Sequence, residues 1–448
     1  MTTHTIKRGF DIPIAGQPEP VLVEASEPAF VGLETAEFPG CKPSPLVEEG
    51  EAVTTGQPLF RDKQDRSVLF CSPATGVVER LEFGERRHLL RVVVKVAGKD
   101  SFHSLPTADA GADREQVAAA LATSGLWPLL RQRPLGKVPH TSTVPVAIFV
   151  NGMDSAPLAA CPAFATRGQE RNLQAGIDLL RRLGTGKVYL SLRAGDSKQD
   201  HLRGLRGVEI HEFRGPHPSG LVGTHIAHIR PLKAGEVAFT LRANDVVRIG
   251  QWQLTGRYPH HQVTATAGSA APTRQYFHVR QGAQLSVLTG GKPLAGDVRL
   301  IDGTVLGGTR LAPEGFLGFR TTTLTAIPEG TNERDLFGWA LPQFGKLSFH
   351  RSVFSWLFRK RDYVLDARLN GGRRPIVNIG SWDRVMAIDI HPTFLVRAIQ
   401  AGDIEEAVKL GLLEVTEEDV ALCTFVDPCK IDVGAIVRTG LDKLEQEG

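Results

Sequence analysis

The sequence predicts a multidomain chain of α/β and β class, with a β domain on either side of an α/β domain and a helical C-terminal part. Three observations lead there. The first hundred residues are dense in Gly and Pro and carry short apolar runs such as "SVLF" and "HLLRVVVKV", the mark of strands joined by turns. The middle alternates apolar runs with helical periodicity, and the last sixty-odd residues read as helices throughout. With 448 residues, 42% of them hydrophobic, the chain can bury a substantial core and divides on length alone into about three domains.

The β domain is expected over 1–100. Within it "VEEGEAVTTGQPLF" and "SPATGVVERL" put Gly50, Gly56 and Gly76 at expected turns, where glycine's access to positive φ is needed. This spacing resembles the barrel-sandwich hybrid of lipoyl and biotinyl carriers. A carrier needs a lysine on its exposed hairpin. Lys63 in "RDKQDR" is the candidate, but it lacks a carrier lysine's surroundings, so no covalent carrier group is expected.

The α/β domain is expected over 101–255. "ADREQVAAALATSGLWPLL" predicts a helix opening near Asp113 and stopping at Gly125, a C′ glycine. "VPVAIFV" has the continuous apolar run of a buried parallel strand. "ERNLQAGIDLLRRLGTG" places Leu173, Ile177 and Leu180 on one helical face, and "KVYLSL" follows as the next strand, completing a βαβ unit. From 256 to 330, "QYFHVRQGAQLSVL" and "GDVRLIDGTVLGGT" return to alternation and glycine turns, as in a small β-grasp or meander. The region 331–448 is expected to be mainly helical. In "TEEDVALCTF", Thr416 and Asp419 stand at capping-box spacing, and "VGAIVRTGLDKLEQEG" closes the chain as an amphipathic helix.

Composition excludes several functions. The balance of 52 Lys+Arg against 49 Asp+Glu supplies no basic stripe for nucleic acid. Five scattered cysteines do not make a disulfide framework, which fits a reducing compartment. The N-terminus has no signal-peptide core, and no apolar run reaches the roughly 18 residues of a membrane span.

The chemistry-bearing residues are few. Cys423 and Cys429 in "ALCTFVDPCK" lie beside a proline, but an iron–sulfur cluster wants four thiolates at close spacing. They are expected as thiols on a helix and the loop after it. His217, His225 and His228 sit among Gly215, Gly220 and Gly223, without H-E-x-x-H or phosphate-loop spacing. That stretch is expected as a loop packing domains together, with a ligand-contacting loop as the alternative, and "YPHHQ" with His260 and His261 as a surface turn. No nucleophile elbow of the G-x-S-x-G kind is present.

Seven stretches, taken in order, carry a resemblance: "KRGFDIPIAG", "VEEGEAVTTGQPLFRDK" with "SPATGVV", "SGLWPLLRQRPLGKVP", "GPHPSGLVGTH", "LFGWALP" at 336–342, and "EEDVALCTFVDPCK". Together they look like the A subunits of the bacterial sodium-translocating NADH:quinone reductases (Na+-NQR), and the likeness runs from end to end. This family is similar to the C subunit of the Rnf complex and, more distantly, to the flavin subunit of respiratory complex I. Where those relatives have a glycine-rich flavin loop, this chain has Trp127, Leu129, Leu130 and Arg131. Bulky side chains there prevent the close backbone approach that a phosphate cradle requires.

The resemblance implies a barrel-sandwich hybrid-like domain, a Rossmann-like α/β domain lacking the flavin loop, an SLBB-like β-grasp domain and a helical domain with a degenerate cluster segment. In that segment the family commonly reads C-T-x-V-C-P-G-K, whereas Asp427 and Cys429 stand at the second-cysteine and glycine places here. It also implies a peripheral subunit on the cytoplasmic side of the bacterial inner membrane, holding no catalytic, cofactor or metal residues of its own. Its partners would be subunits B to F, carrying FMN, riboflavin, FAD and iron–sulfur centres, with ubiquinone as the substrate of the complex.

A quinone needs an apolar slot and a donor for its carbonyls. Two segments are the expected contacts: Phe30, Gly32, Leu33 and Phe38, and Trp127, Leu130, Arg131, Arg133 and Lys137. The alternatives are a scaffold without substrate contact and an Rnf-like NADH dehydrogenase subunit with FMN.

Overall fold

A computed structural model describes residues 2–184, 187–291, 296–331, 345–358 and 361–447. The "LFGWALP" stretch lies outside the described residues.

The first domain is two small facing sheets. One contains Phe30–Glu34, Leu89–Val96, Gly76–Phe83 and Ala52–Val53, and the other Pro43–Pro45, Pro58–Asp62 and Leu69–Cys71. Between them Phe60 and Phe70 stack with centroids 4.5 Å apart, and Phe38 packs on Phe70 at 4.4 Å. Gly50 and Gly56 take positive φ at turns, but Gly76 does not. It opens a strand, where an added Cβ would lie 1.9 Å from the Lys95 carbonyl oxygen, so its glycine serves close strand approach. Lys63 is exposed in a bend.

The α/β sheet runs Thr2–Thr5, Glu209–Arg214, Val188–Arg193, Ala147–Asn151, Ala238–Arg242, Arg131–Arg133. All its pairs are parallel except the last, as helical crossovers require. The expected helix spans Arg114–Thr123, with Asp113 as its N-cap in a complete capping box and Gly125 at φ +73°.

The helices Glu170–Leu180 and Ala243–Thr255 cross through two glycines. A Cβ on Gly250 would lie 1.7 Å from the Asn172 carbonyl oxygen, and one on Gly176 would lie 2.4 Å from that of Val246. Backbone contact at this crossing brings Leu173, Ile177, Ile249 and Trp252 into one core with almost no exposure.

A second six-stranded sheet runs Thr309–Leu311, Val298–Asp302, Thr323–Pro328, His261–Ala267, Tyr276–Arg280, Leu22–Glu24. Thus Thr2–Thr5 and Leu22–Glu24, expected with the first domain, complete two other sheets. These short segments have no buried face of their own, so no local pattern marks where they pair.

His260 and His261 correct another expectation. They do not form a surface turn: His261 begins a strand, its ring 4.8 Å from that of His278. Arg280 beside them binds Glu27 at 2.8 Å and Asp100 at 2.9 Å, joining the second sheet to the first domain.

The C-terminal part packs Ser381–Val385, Pro392–Ala401, Ile404–Lys409, Glu417–Val426 and Val433–Glu447 around Leu395, Leu412, Leu422 and Val437. Ile12 and Ile14 from the N-terminus complete that core. Among the described residues no helix is long and apolar enough to cross a membrane.

Gly250→Ala forces the two helices apart. It is expected to lower the unfolding free energy by about 2–3 kcal/mol, read as a lower urea midpoint at unchanged m-value.

Candidate functional site

Three of the sequence stretches converge on one carboxylate. Asp419 caps the Glu417–Val426 helix by accepting the Thr416 amide at 2.9 Å and the Thr416 hydroxyl at 3.0 Å. The same oxygen accepts Arg133 Nη1 at 2.7 Å. Its other oxygen has no hydrogen-bond partner and lies over Gly223, where a Cβ would come within 2.1 Å. Gly223 sits in the first turn of the helix Val222–Ile229, whose positive end favours the carboxylate. Both members of the ion pair are buried, with side chains 7% and 2% exposed.

The glycine–histidine stretch is therefore a packing device. The His217 carbonyl accepts from Phe10 at 2.8 Å, and the His217 amide donates to Asp11 at 2.8 Å. Burial pulls the His217 imidazole down to about 4 and that of His225 to about 3, so both are neutral at physiological pH.

The two expected quinone segments, a hundred residues apart in sequence, touch. Arg131 Nη2 donates to the Glu37 carbonyl at 2.9 Å, Val138 N–H donates to the Pro39 carbonyl at 3.0 Å, and the Lys137 stem covers Gly40. Leu33, Phe38, Trp127 and Leu130 are fully buried, with Trp127 Nε1 donating to the Pro139 carbonyl at 2.7 Å. Gly32 is buried beneath the Phe316 ring. Phe30, Arg131 and Lys137 are partly exposed, and Lys137 pairs with Glu445. Burial, with Arg320 nearby, lowers the Arg131 guanidinium to about 9, which leaves it charged at neutral pH.

Glu37 lies within this seam and accepts the Phe319 amide at 2.6 Å. Burial, with Asp302 beside it, pushes its carboxyl up to about 8.

Beside Arg133 opens a cleft of about 230 Å³. Pro134, Ile226, Leu232, Val408 and Leu413 make its walls apolar, while Arg133, Lys233 and Glu414 offer polar heads. Among the described residues the Arg133 guanidinium spends one nitrogen on Asp419 and makes no other hydrogen bond. Burial, with Asp389 nearby, raises the Glu414 carboxyl. The volume is below the roughly 300–1,000 Å³ of drug-sized sites, so it suits a single ring.

Comparison with known proteins decides the family. Residues 4–97 match the NqrA N-terminal barrel-sandwich hybrid domain, 112–258 the NqrA second alpha/beta domain, and 263–312 the NQRA C-terminal domain. The A subunit of the Na(+)-translocating NADH-quinone reductase of Actinobacillus succinogenes is 41% identical over 99% of this chain and 100% of its own length. The Vibrio atlanticus protein of the same name is 40% identical over the same shares. The chain belongs to the NqrA family, the A subunits of the Na(+)-translocating NADH-quinone reductases. Among solved structures, an NAD+-reducing nickel–iron hydrogenase in the air-oxidized state aligns over 75% of this chain and 61% of that one. At TM-score 0.33 and 13% identity that likeness is too slight to bear on function.

In this NqrA chain the cysteine segment is held by ordinary hydrogen bonds. Asp427 accepts the Ile431 amide at 2.8 Å, and the Cys429 carbonyl accepts from Arg374 at 2.9 Å. Cys423 is buried, and burial pushes its thiol up, away from the thiolate form that ligates metal.

Sequence reasoning singled out Arg133 but not the residues that it meets in the fold. Asp419 carried a capping signal only, and Gly223 was one glycine among three. Leu232, Val408 and Leu413 have no local mark, because the cleft exists only where three segments meet.

Asp419→Ala leaves Arg133 buried and uncompensated, an expected loss of about 3–5 kcal/mol. The double variant Arg133→Met with Asp419→Leu should lose much less than the sum of the single changes, measured as a denaturation cycle.

Because the Glu37 carboxyl titrates near 8 in the fold and near its ordinary value when unfolded, the folded chain holds the extra proton between those limits. Its contribution is fully present below about pH 4.5 and is lost as pH rises toward 8. Glu37→Gln should flatten the stability profile between pH 5 and 8, measured by urea titration at each pH.

Proposed function

We propose that this chain is a peripheral, cytoplasmic-side subunit of a bacterial inner-membrane reductase in which NADH oxidation and ubiquinone reduction drive Na+ export. It contributes to ubiquinone binding and to assembly. Its partners are subunits B to F, which carry the flavins (FMN, riboflavin, FAD) and the iron–sulfur centres. Its units lie at 1–100, 101–255, 256–330 and 331–448, with the first strands completing neighbouring sheets.

The observation that carries this reading is the apolar cleft with Arg133 at its edge. Ile226, Leu232, Val408 and Leu413 would cover the faces of a quinone ring. The guanidinium would donate to one carbonyl oxygen, stabilising the negative charge that develops there during reduction. Glu414, with its raised carboxyl, is placed to hold a proton near the same ring.

The other eight expected contacts take different parts. Phe30, Arg131 and Lys137 keep partly exposed surface and are the outer quinone contacts of this reading. Gly32, Leu33, Phe38, Trp127 and Leu130 are buried and support them. Their buried packing also suits a scaffold without substrate contact, which is the second reading.

Photo-crosslinking of the assembled complex with an azido-quinone separates the two. Expected label falls within 131–137, 226–235 or 408–414 and is competed away by excess ubiquinone. Label confined to the membrane subunits would sink the quinone reading and leave the scaffold. In parallel, Leu413→Trp, which fills the cleft, should raise the quinone KM about tenfold, equivalent to about 1.4 kcal/mol, with subunit composition unchanged on a native gel.

A further inference from the structure

A second cavity, of about 90 Å³, lies where the Ala243–Thr255 helix meets the second six-stranded sheet. Arg248 lines it and is only 5% exposed. Its Nη1 donates to the Phe319 carbonyl at 2.8 Å and its Nη2 to Gln281 Oε1 at 2.8 Å, both neutral acceptors. The guanidinium rests 4.6 Å from the centroid of the Phe319 ring, and its Nε has no partner. Among the described residues no carboxylate forms an ion pair with it.

A buried cation without a counter-ion is an expensive arrangement. Arg133, Arg280 and Arg320 each have a carboxylate partner, whereas Arg248, like the partly exposed Arg131, has only neutral acceptors and is the more deeply buried of the two.

The rest of the lining strengthens the case. Arg320 and Thr321 border the same cavity, and Arg320 Nε also lacks a hydrogen-bond partner, whereas Thr321 Oγ1 lies beside the Asp302 carboxylate. One carboxylate borders it among the described residues, that of Asp245, and it is already engaged. It accepts from Arg320 Nη2 at 2.6 Å and from the Arg242 amide at 3.0 Å. Two guanidinium groups against one carboxylate leave a positive excess, set beside the first two turns of a thirteen-residue helix whose N-terminal end adds to it. His261 and Gln262 form the opposite wall, with His278 on the neighbouring strand.

We propose that this cavity binds a small tetrahedral oxyanion of the phosphate or sulfate class, held by Arg248 and Arg320. Its size admits such an anion and excludes a nucleoside. The bound anion supplies the counter-charge that Arg248 lacks and ties the Ala243–Thr255 helix to the 320–322 segment of the second sheet. The site is separate from the quinone cleft and stands or falls independently of it.

Equilibrium dialysis of the purified full-length chain against radiolabelled inorganic phosphate, at fixed ionic strength, tests this directly. The expected result is one saturable class of site, displaced by sulfate and not by acetate. Affinity should fall at least about tenfold in Arg248→Met. It should fall similarly in Gln251→Trp, a change at an exposed rim position that leaves the core untouched. No saturable phosphate or sulfate binding, or binding that both variants leave intact, overturns the proposal. Binding of acetate in preference to phosphate overturns the assignment of a tetrahedral anion.

Discussion

The buried pair between Arg133 and Asp419 is the constraint on which the arrangement of this chain depends. Taking both charges out of water costs several kcal/mol per ion, so the pair survives only because its geometry is met on every side. Thr416 supplies two further donors, and Gly223 yields the space that a Cβ would occupy. One carboxylate thereby fixes the end of the α/β sheet, the start of the Val222–Ile229 helix and the C-terminal helices in a single register. The cleft beside Arg133 is a consequence of that register, since its walls come from the same three segments.

Packing and binding compete for the same residues in the seam between 30–40 and 127–138. An aromatic ring can stack on a quinone only where the quinone can reach it. Trp127 and Phe38 are fully covered, and Trp127 uses its one donor on the Pro139 carbonyl. Bulky side chains fill the 127–130 stretch, and their burial makes it core. What remains accessible there is charged or peripheral, and this shifts the weight of the quinone reading from the aromatics to Arg133 and its apolar neighbours.

Arginines carry much of the long-range order. Arg280 joins the second sheet to the first domain through Asp100, Arg320 joins it to the α/β domain through Asp245, and Arg133 joins the α/β domain to the C-terminal helices. The planar guanidinium suits this work because several donors in a fixed fork can engage carboxylates and carbonyls on different segments at once. Arg248 has the carbonyls but not the carboxylate, and the adjoining cavity offers the place where a counter-ion would fit.

Local physics was legible in the sequence. The apolar run at 147–151, the helical face of Leu173, Ile177 and Leu180, the cap at Asp113 and the capping box at Thr416 and Asp419 all involve residues a few positions apart. Hydrophobic period and turn chemistry act at that range. The end-to-end likeness to the NqrA family likewise required only ordered motifs. Tertiary structure alone decided that Thr2–Thr5 completes the α/β sheet, that His261 stacks beside His278, that Asp419 meets Arg133, and that a cleft opens among Ile226, Leu232 and Leu413. Apart from the histidine pair, which sits on consecutive strands, each of those joins residues far apart in the chain, where the energy lies in desolvation and shape complementarity between surfaces that do not exist until the separate elements have formed.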